Sequence, residues 1–223
     1  MTRISPRESG NAFMMVLIGI VLFAALAFTF TRSGRQGVSN VSTQEASLIA
    51  GDVISYGQAI ERGVNRMRVK GISESDIDFV GANGLYDNAA CIEDKCQVFN
   101  AAGGQQVWQP NVSKANNGDA WVFTGDVSVT ALGQDDGTAK SSELIAFMPN
   151  VHPAICMEIN RKLGIENTGD APPVATSAVS FNTLYTGTFA SGDALAGAEL
   201  DGKRAACFDD GTDLHYYQVL LAR

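Results

Sequence analysis

Hydrophobic positions in this chain form three patterns: one unbroken run, one helical stripe and several short alternating stretches. The run is Asn11 to Thr31, NAFMMVLIGIVLFAALAFTFT, with no charged side chain between Glu8 and Arg32. As a helix it would rise about 30 Å, the depth of a bilayer's hydrocarbon core. Every backbone polar group in that layer must be bonded internally, which predicts a helix. A buried core helix is the soluble alternative, but core helices of this length usually keep a polar face. A cleaved secretory signal would have a shorter apolar region and a small-x-small site after it. Arg32-Ser-Gly-Arg-Gln-Gly37 follows instead. We read the run as a membrane anchor.

The stripe lies in Gln44 to Lys70. Ile49, Val53, Tyr56, Ile60, Val64 and Met67 are spaced 4, 3, 4, 4 and 3 residues apart, one face of a helix. Glu45, Asp52, Glu61, Arg62, Asn65 and Arg66 fall mostly elsewhere. Gly51, Gly57 and Gly63 lower the intrinsic propensity, so close packing is expected to hold this helix, and Gly71 is placed to stop it. Between anchor and stripe, Gly34 and Gly37 predict a loosened or bent segment.

Ser73 to Gly118 is irregular and rich in turn signals, with a short strand expected around Gln105–Trp108. Strands are predicted at Trp121–Thr124, Asp126–Leu132 and Leu144–Met148, with Gln134–Thr138 turning an antiparallel hairpin. A helix is expected from Pro153 to Leu163, ended by Gly164. Glu166–Ser180 reads as a surface loop and Phe181–Phe189 as a strand. A last hairpin joins Lys203–Phe208 to Leu214–Leu221 through Asp209-Asp210-Gly211. The expected fold class is α+β: a long N-terminal helix, membrane-spanning then amphipathic, packed on an antiparallel sheet. The expected segments are a leader at 1–10, the anchor at 11–31, a stalk helix at 32–70 and a head at 71–223.

Charge narrows the partners. Beyond Thr31 there are 14 Lys and Arg against 23 Asp and Glu. That balance disfavours nucleic acid and anionic lipid headgroups, which need clustered cations. The four cysteines, Cys91, Cys96, Cys156 and Cys207, read as disulfides in an oxidising compartment. Of three possible pairings we expect Cys91–Cys96 and Cys156–Cys207. Metal binding competes, but neither His152 nor His215 falls into zinc-ligand spacing. The flanking arginines do not fix orientation, since Arg3 and Arg7 balance Arg32 and Arg35. The cysteines place the N-terminus towards the cytoplasm and the bulk of the chain outside it.

Catalytic motifs are missing: no GxSxG elbow, HExxH or phosphate-cradling loop occurs. His152 reads as a helix-entry residue and His215 as one face of a strand, and no enzyme activity is expected. No cofactor is expected either. Asp209, Asp210 and Asp213 bring carboxylates close together around Gly211 and form a candidate calcium turn, without the spacing or distal Glu of an EF-hand.

The short leader ending in Ser9-Gly10, the immediate apolar run and the amphipathic continuation onto strands resemble type IV pilins and type II secretion pseudopilins. The resemblance implies cleavage by a prepilin peptidase between Gly10 and Asn11. It also implies an assembly helix, carrying Phe13, Val16, Gly19, Ile20, Phe23 and Leu26, that packs against other pilin-like subunits. The chain would begin as a single-pass protein of the bacterial inner membrane with its head in the periplasm, and could pass into an extracellular filament. Two positions depart from the family pattern. Asn11 stands where Phe or Met is usual after the cut, and Met15 where a glutamate usually pairs with a neighbour's new N-terminus. The alternative is a membrane-tethered periplasmic module that binds a protein or glycan without polymerising. On either reading the head loops Asn83–Ala102 and Glu166–Ser180 are the expected contact surfaces.

Overall fold

In the computed structural model, the described residues are 42–82, 84–133, 142–177, 179–190 and 192–223, with single positions at 16, 18 and 20. The leader, the linker to 41, the turn 134–138 and all of the anchor but Val16, Ile18 and Ile20 therefore lie outside them. Those three positions are helical and exposed.

Helix α1 spans Thr43–Val69, 27 residues. Its stripe is buried as the spacing predicts: Ile49, Val53, Tyr56, Ile60, Val64 and Met67 are each 8% exposed or less. Two of its three glycines are there for packing. A Cβ on Gly63 would sit 2.7 Å from Gln106 Cγ, and one on Gly57 would sit 3.2 Å from Tyr216 Oη. The chain leaves the helix at Gly71, in the left-handed region at φ 86°, as Ile72 N–H returns to Met67 C=O.

Helix α2 spans Pro153–Leu163, with His152 at its N-cap, Pro in its first turn and Gly164 left-handed at φ 70°. Both boundaries follow from the rigid φ of Pro and the missing Cβ of Gly. The five strands are β1 (Val122–Val129), β2 (Glu143–Met148), β3 (Asp193–Leu195), β4 (Ala205–Asp209) and β5 (Leu214–Leu221). They form one sheet in the order β3-β1-β2-β5-β4. The β1–β2, β2–β5 and β4–β5 pairs are antiparallel. The β1–β3 pair is parallel.

The expected fold class needs correcting. The sheet is mixed, because β3 enters beside β1 in the parallel sense after a long excursion. Two α-helices have both ends among the described residues, and among those residues no helix is long and apolar enough to cross a membrane. A single long N-terminal helix is not seen; α1 begins at Thr43.

Smaller expectations also change. The two strands expected at Trp121–Thr124 and Asp126–Leu132 are one shorter strand, Val122–Val129, with a register shift between Thr124 and Val127. Gln105–Trp108 is not a strand: Gln105 has φ 58°, and Val107 C=O accepts from the Tyr56 hydroxyl. Phe181–Phe189 is irregular, and the edge strand is instead Asp193–Leu195.

Residues 43–223 form one compact unit in which both faces of the sheet are covered. On one face, α1 lies on β5 and α2 on β4, and each helix also packs on the other. There Trp121 packs edge-on against Tyr56 and against Tyr216. The other face carries Val127, Ile145, Phe147, Phe208, Tyr217 and Val219, covered by Ile165, Ala175, Val179 and Leu200 from the stretch after α2. Cover on both sides explains why all six residues of β2 are buried.

Candidate functional site

The disulfides are Cys91–Cys96 and Cys156–Cys207, with no free cysteine among the described residues. The second joins α2 to β4 with both cysteines fully buried. Beside it the Asn160 carboxamide works as a piece of strand. Its Oδ1 accepts from Cys207 N–H at 2.8 Å, and its Nδ2 donates to Cys207 C=O at 2.8 Å. Further along β4, Asp209 N–H donates to Pro173 C=O and Asp209 C=O accepts from Ala175 N–H. The outer edge of β4 is closed by one side chain and one strap, as exposed strand edges require.

That strap belongs to Glu166–Ser180, expected as a surface loop; Pro173, Ala175 and Val179 are buried. The other expected contact loop, Asn83–Ala102, is also tied in. Asn88 donates to Ser75 C=O and Ile77 C=O, and the nearly buried Asp78 carboxylate accepts from the amides of Val80 and Asn88. Burial pushes the Asp78 pKa up, and those amides oppose the rise. Tyr86 and Val98 are buried, and Ile92, inside the small disulfide loop, is 87% exposed.

The candidate calcium turn spends two of its three carboxylates, those of Asp209 and Asp210, on its own amides. Asp209 Oδ1 accepts from Gly211 N–H, and Asp210 Oδ1 accepts from the amides of Thr212 and Asp213. Asp210 Oδ2 lies 3.1 Å from His215 Nε2. Burial raises the Asp210 pKa, but the two amides and His215 outweigh it and hold the group below its usual value. Among the described residues no three His, Cys, Asp or Glu side chains are grouped to hold a metal ion. His215 is buried between Phe181 and Phe208, and His152 stands at the helix entry.

Two features escaped sequence reasoning. Glu143, at the start of β2, is fully buried; one carboxylate oxygen accepts from Val129 N–H at 2.8 Å, while Oε1 has no partner. Burial lifts its pKa to about 7, against the Val129 amide, its own amide and the Arg223 charge. Nothing in Ser142-Glu-Leu144 announces this.

The second is a cleft of ≈ 400 Å³ between α1 and the strap 109–113, lined by Asp52, Ser55, Tyr56, Gln109, Asn111, Val112 and Ser113. Tyr56 pins the strap to the helix: its hydroxyl donates to Val107 C=O at 3.1 Å and accepts from Gln109 N–H at 2.8 Å. Burial pushes the Tyr56 pKa up to about 12, so this hydroxyl keeps its proton. Pro110 C=O accepts from Trp121 N–H, Asn111 donates to Gly118 C=O, and Lys114 pairs with Glu45 at 2.6 Å. These ties hold the cleft open without its lining side chains bonding to one another.

Of the positions implied by the resemblance, Gly10, Asn11, Phe13, Gly19, Phe23 and Leu26 lie outside the described residues, and Val16 and Ile20 are exposed helical positions. Comparison of the chain with protein-family models, with curated proteins and with solved structures found no match.

Proposed function

We propose that this chain is a structural subunit of a pilus-like or pseudopilus-like assembly, held in a membrane and assembled through Asn11–Thr31. The observation that carries this reading is how α1 uses its apolar stripe. The whole stripe is spent inside residues 43–223. The uncharged run Asn11–Thr31 has no polar face of its own, so it calls for a separate apolar environment. A bilayer supplies one before assembly, and the same segment of other pilin-like subunits supplies one after it. The two disulfides support a head that matures in an oxidising compartment, the periplasm on this reading.

Mass spectrometry of the mature protein tests the proposal. The expected N-terminus is Asn11, left by a prepilin peptidase acting after Gly10. An intact Met1, or loss of Met1 alone, counts against it.

A tethered binding module that does not polymerise is the second reading, favoured by the preformed cleft beside α1 and by Met15 in place of a pairing carboxylate. Gly19→Asp or Ala24→Asp separates the two. Assembly is lost on the first reading, while the second predicts a head that keeps its function wherever the variant still inserts.

A further inference from the structure

We propose that the cleft between α1 and the 109–113 strap is a binding site for a neutral saccharide. The chemistry of its lining carries this. Asp52 and Ser55 come from the outer face of α1; Gln109, Asn111 and Ser113 come from the strap. Among the described residues no hydrogen bond or ion pair engages the side chains of Asp52, Ser55, Gln109 or Ser113, and Asn111 spends only its Nδ2. Four of these five polar groups are neutral hydroxyls or amides, each able to donate and accept. A polyhydroxylated ligand needs such a mixture, because every sugar hydroxyl is itself both donor and acceptor.

Other ligand classes fit less well. An anion would meet the Asp52 carboxylate with no cation in the lining, and Lys114 at the strap's end is already paired with Glu45. An apolar ligand would find only Val112 and the edge of Tyr56. A divalent cation would find a single carboxylate where such ions take several oxygen ligands. A protonated amine is the nearest competitor, since Asp52 alone could hold it, but the four neutral groups would then go unused.

The site is also preorganised. The strap is fixed at Val107 and Gln109 by Tyr56, at Pro110 by Trp121 N–H, and at its far end by Lys114. A volume of ≈ 400 Å³ lies within the range of small-ligand clefts. The strap backbone is therefore ordered before binding, and only the lining side chains remain to be fixed. The inference holds whether or not the chain polymerises, so the N-terminal mass does not bear on it.

The test uses the full chain in lipid nanodiscs, which avoids sugar-headed detergents. Maltose, cellobiose and lactose are titrated at millimolar concentration, with n-butylamine as the cationic probe, and saturation-transfer NMR is the readout. At least one disaccharide is expected to bind. Ser55→Ala with Gln109→Ala is expected to weaken it about tenfold, the loss of two neutral hydrogen bonds. Both side chains are exposed and unbonded, so the melting temperature should not change. If that double variant proves unstable, Ser113→Ala, which removes an exposed and unbonded hydroxyl of the same lining, is expected to weaken binding about threefold. Three outcomes overturn the proposal: no disaccharide binds, binding is undiminished in the variants, or butylamine alone responds.

Discussion

The two faces of the sheet are buried by different means. On the helix face, α1 and α2 cover β4 and β5 with periodic sequence, and the cover is locked by Cys156–Cys207 and the Asn160 carboxamide. On the opposite face an irregular stretch from Ile165 to Leu200 does the same work with side chains that follow no period. The core is equally dry on both sides: Tyr216 and Tyr217, neighbours in β5 that point opposite ways, are both 0% exposed. Burial therefore does not require secondary structure in the cover. It requires the cover's own backbone polar groups to be satisfied, which the strap does through Asp209 and through Thr176 N–H on Ala196 C=O.

If the helix face is the locked one, breaking its lock should cost most. Replacing Cys156 and Cys207 together with Ala opens a closure of 51 residues. The expected loss is roughly 4 kcal/mol on a loop-entropy account, read as a fall in the urea midpoint. The Cys91–Cys96 pair closes a separation of only 5 residues, and its removal should cost clearly less. Equal losses would show that closure length is not what matters here.

Asn160→Ala comes next. It removes both partners of Cys207's backbone and leaves an amide and a carbonyl buried, for an expected loss of about 3 kcal/mol. Hydrogen exchange should speed up at Cys207 N–H more than at Asp209 N–H, which has its own partner in Pro173.

Phe181→Ala attacks the irregular cover. Phe181 is half-buried, with its ring 4.3 Å from Phe147 and 4.7 Å from His215 between centroids. About 2 kcal/mol should be lost. Exchange should rise in 174–182 and leave α1 and α2 unchanged; a rise in the helices would mean the two covers unfold as one unit.

The same contrast explains what could be read in advance. Helices α1 and α2 were legible because a 3.6-residue period, Pro153, Gly71 and Gly164 are local signals, although α1 was expected in a stalk over 32–70 and instead starts at Thr43 inside the compact unit. Strands β1, β2, β4 and β5 were legible because alternation and turn residues are local too. The second cover has no such signal. Phe181, Tyr185 and Phe189 have the composition of a strand, yet they serve as individual plugs: Tyr185 donates to Glu74 C=O, and Phe189 lies under the Arg223 guanidinium at 4.0 Å. The true edge strand, Asp193-Ala-Leu195, is too short to announce itself, and its parallel pairing depends on where the long excursion lands. The cleft was equally hidden. Asp52 and Asn111 are distant in sequence, and exposed polar residues carry no period. The parallel edge and the cleft both arise from long-range placement, which no local pattern encodes.

Glu143 gives the smallest and most specific test, because its carboxylate ties the start of β2 to β1, away from the strands that the helices cover. Its folded pKa of about 7 stands above the ordinary 4.5. Below about pH 4.5 the carboxyl is protonated in both the folded and the unfolded chain, and it imposes no penalty. As pH rises from there towards about 7, the unfolded chain gives up this proton while the folded chain keeps it. The unfolded state then binds fewer protons, so stability falls with pH across that window and levels off above it. Arg223 limits the fall by favouring the charged form. Glu143→Gln cannot ionise and keeps an oxygen for Val129 N–H, so its stability curve should lack this component. The variant should gain on the order of 1 kcal/mol over the parent at pH 6 and nothing at pH 4. Subtracting the two melting-temperature profiles cancels the other carboxylates. A flat difference from pH 4 to 8 would show that the charge is already accommodated between β1 and β2, and that the unpaired Oε1 is solvated when the carboxylate forms.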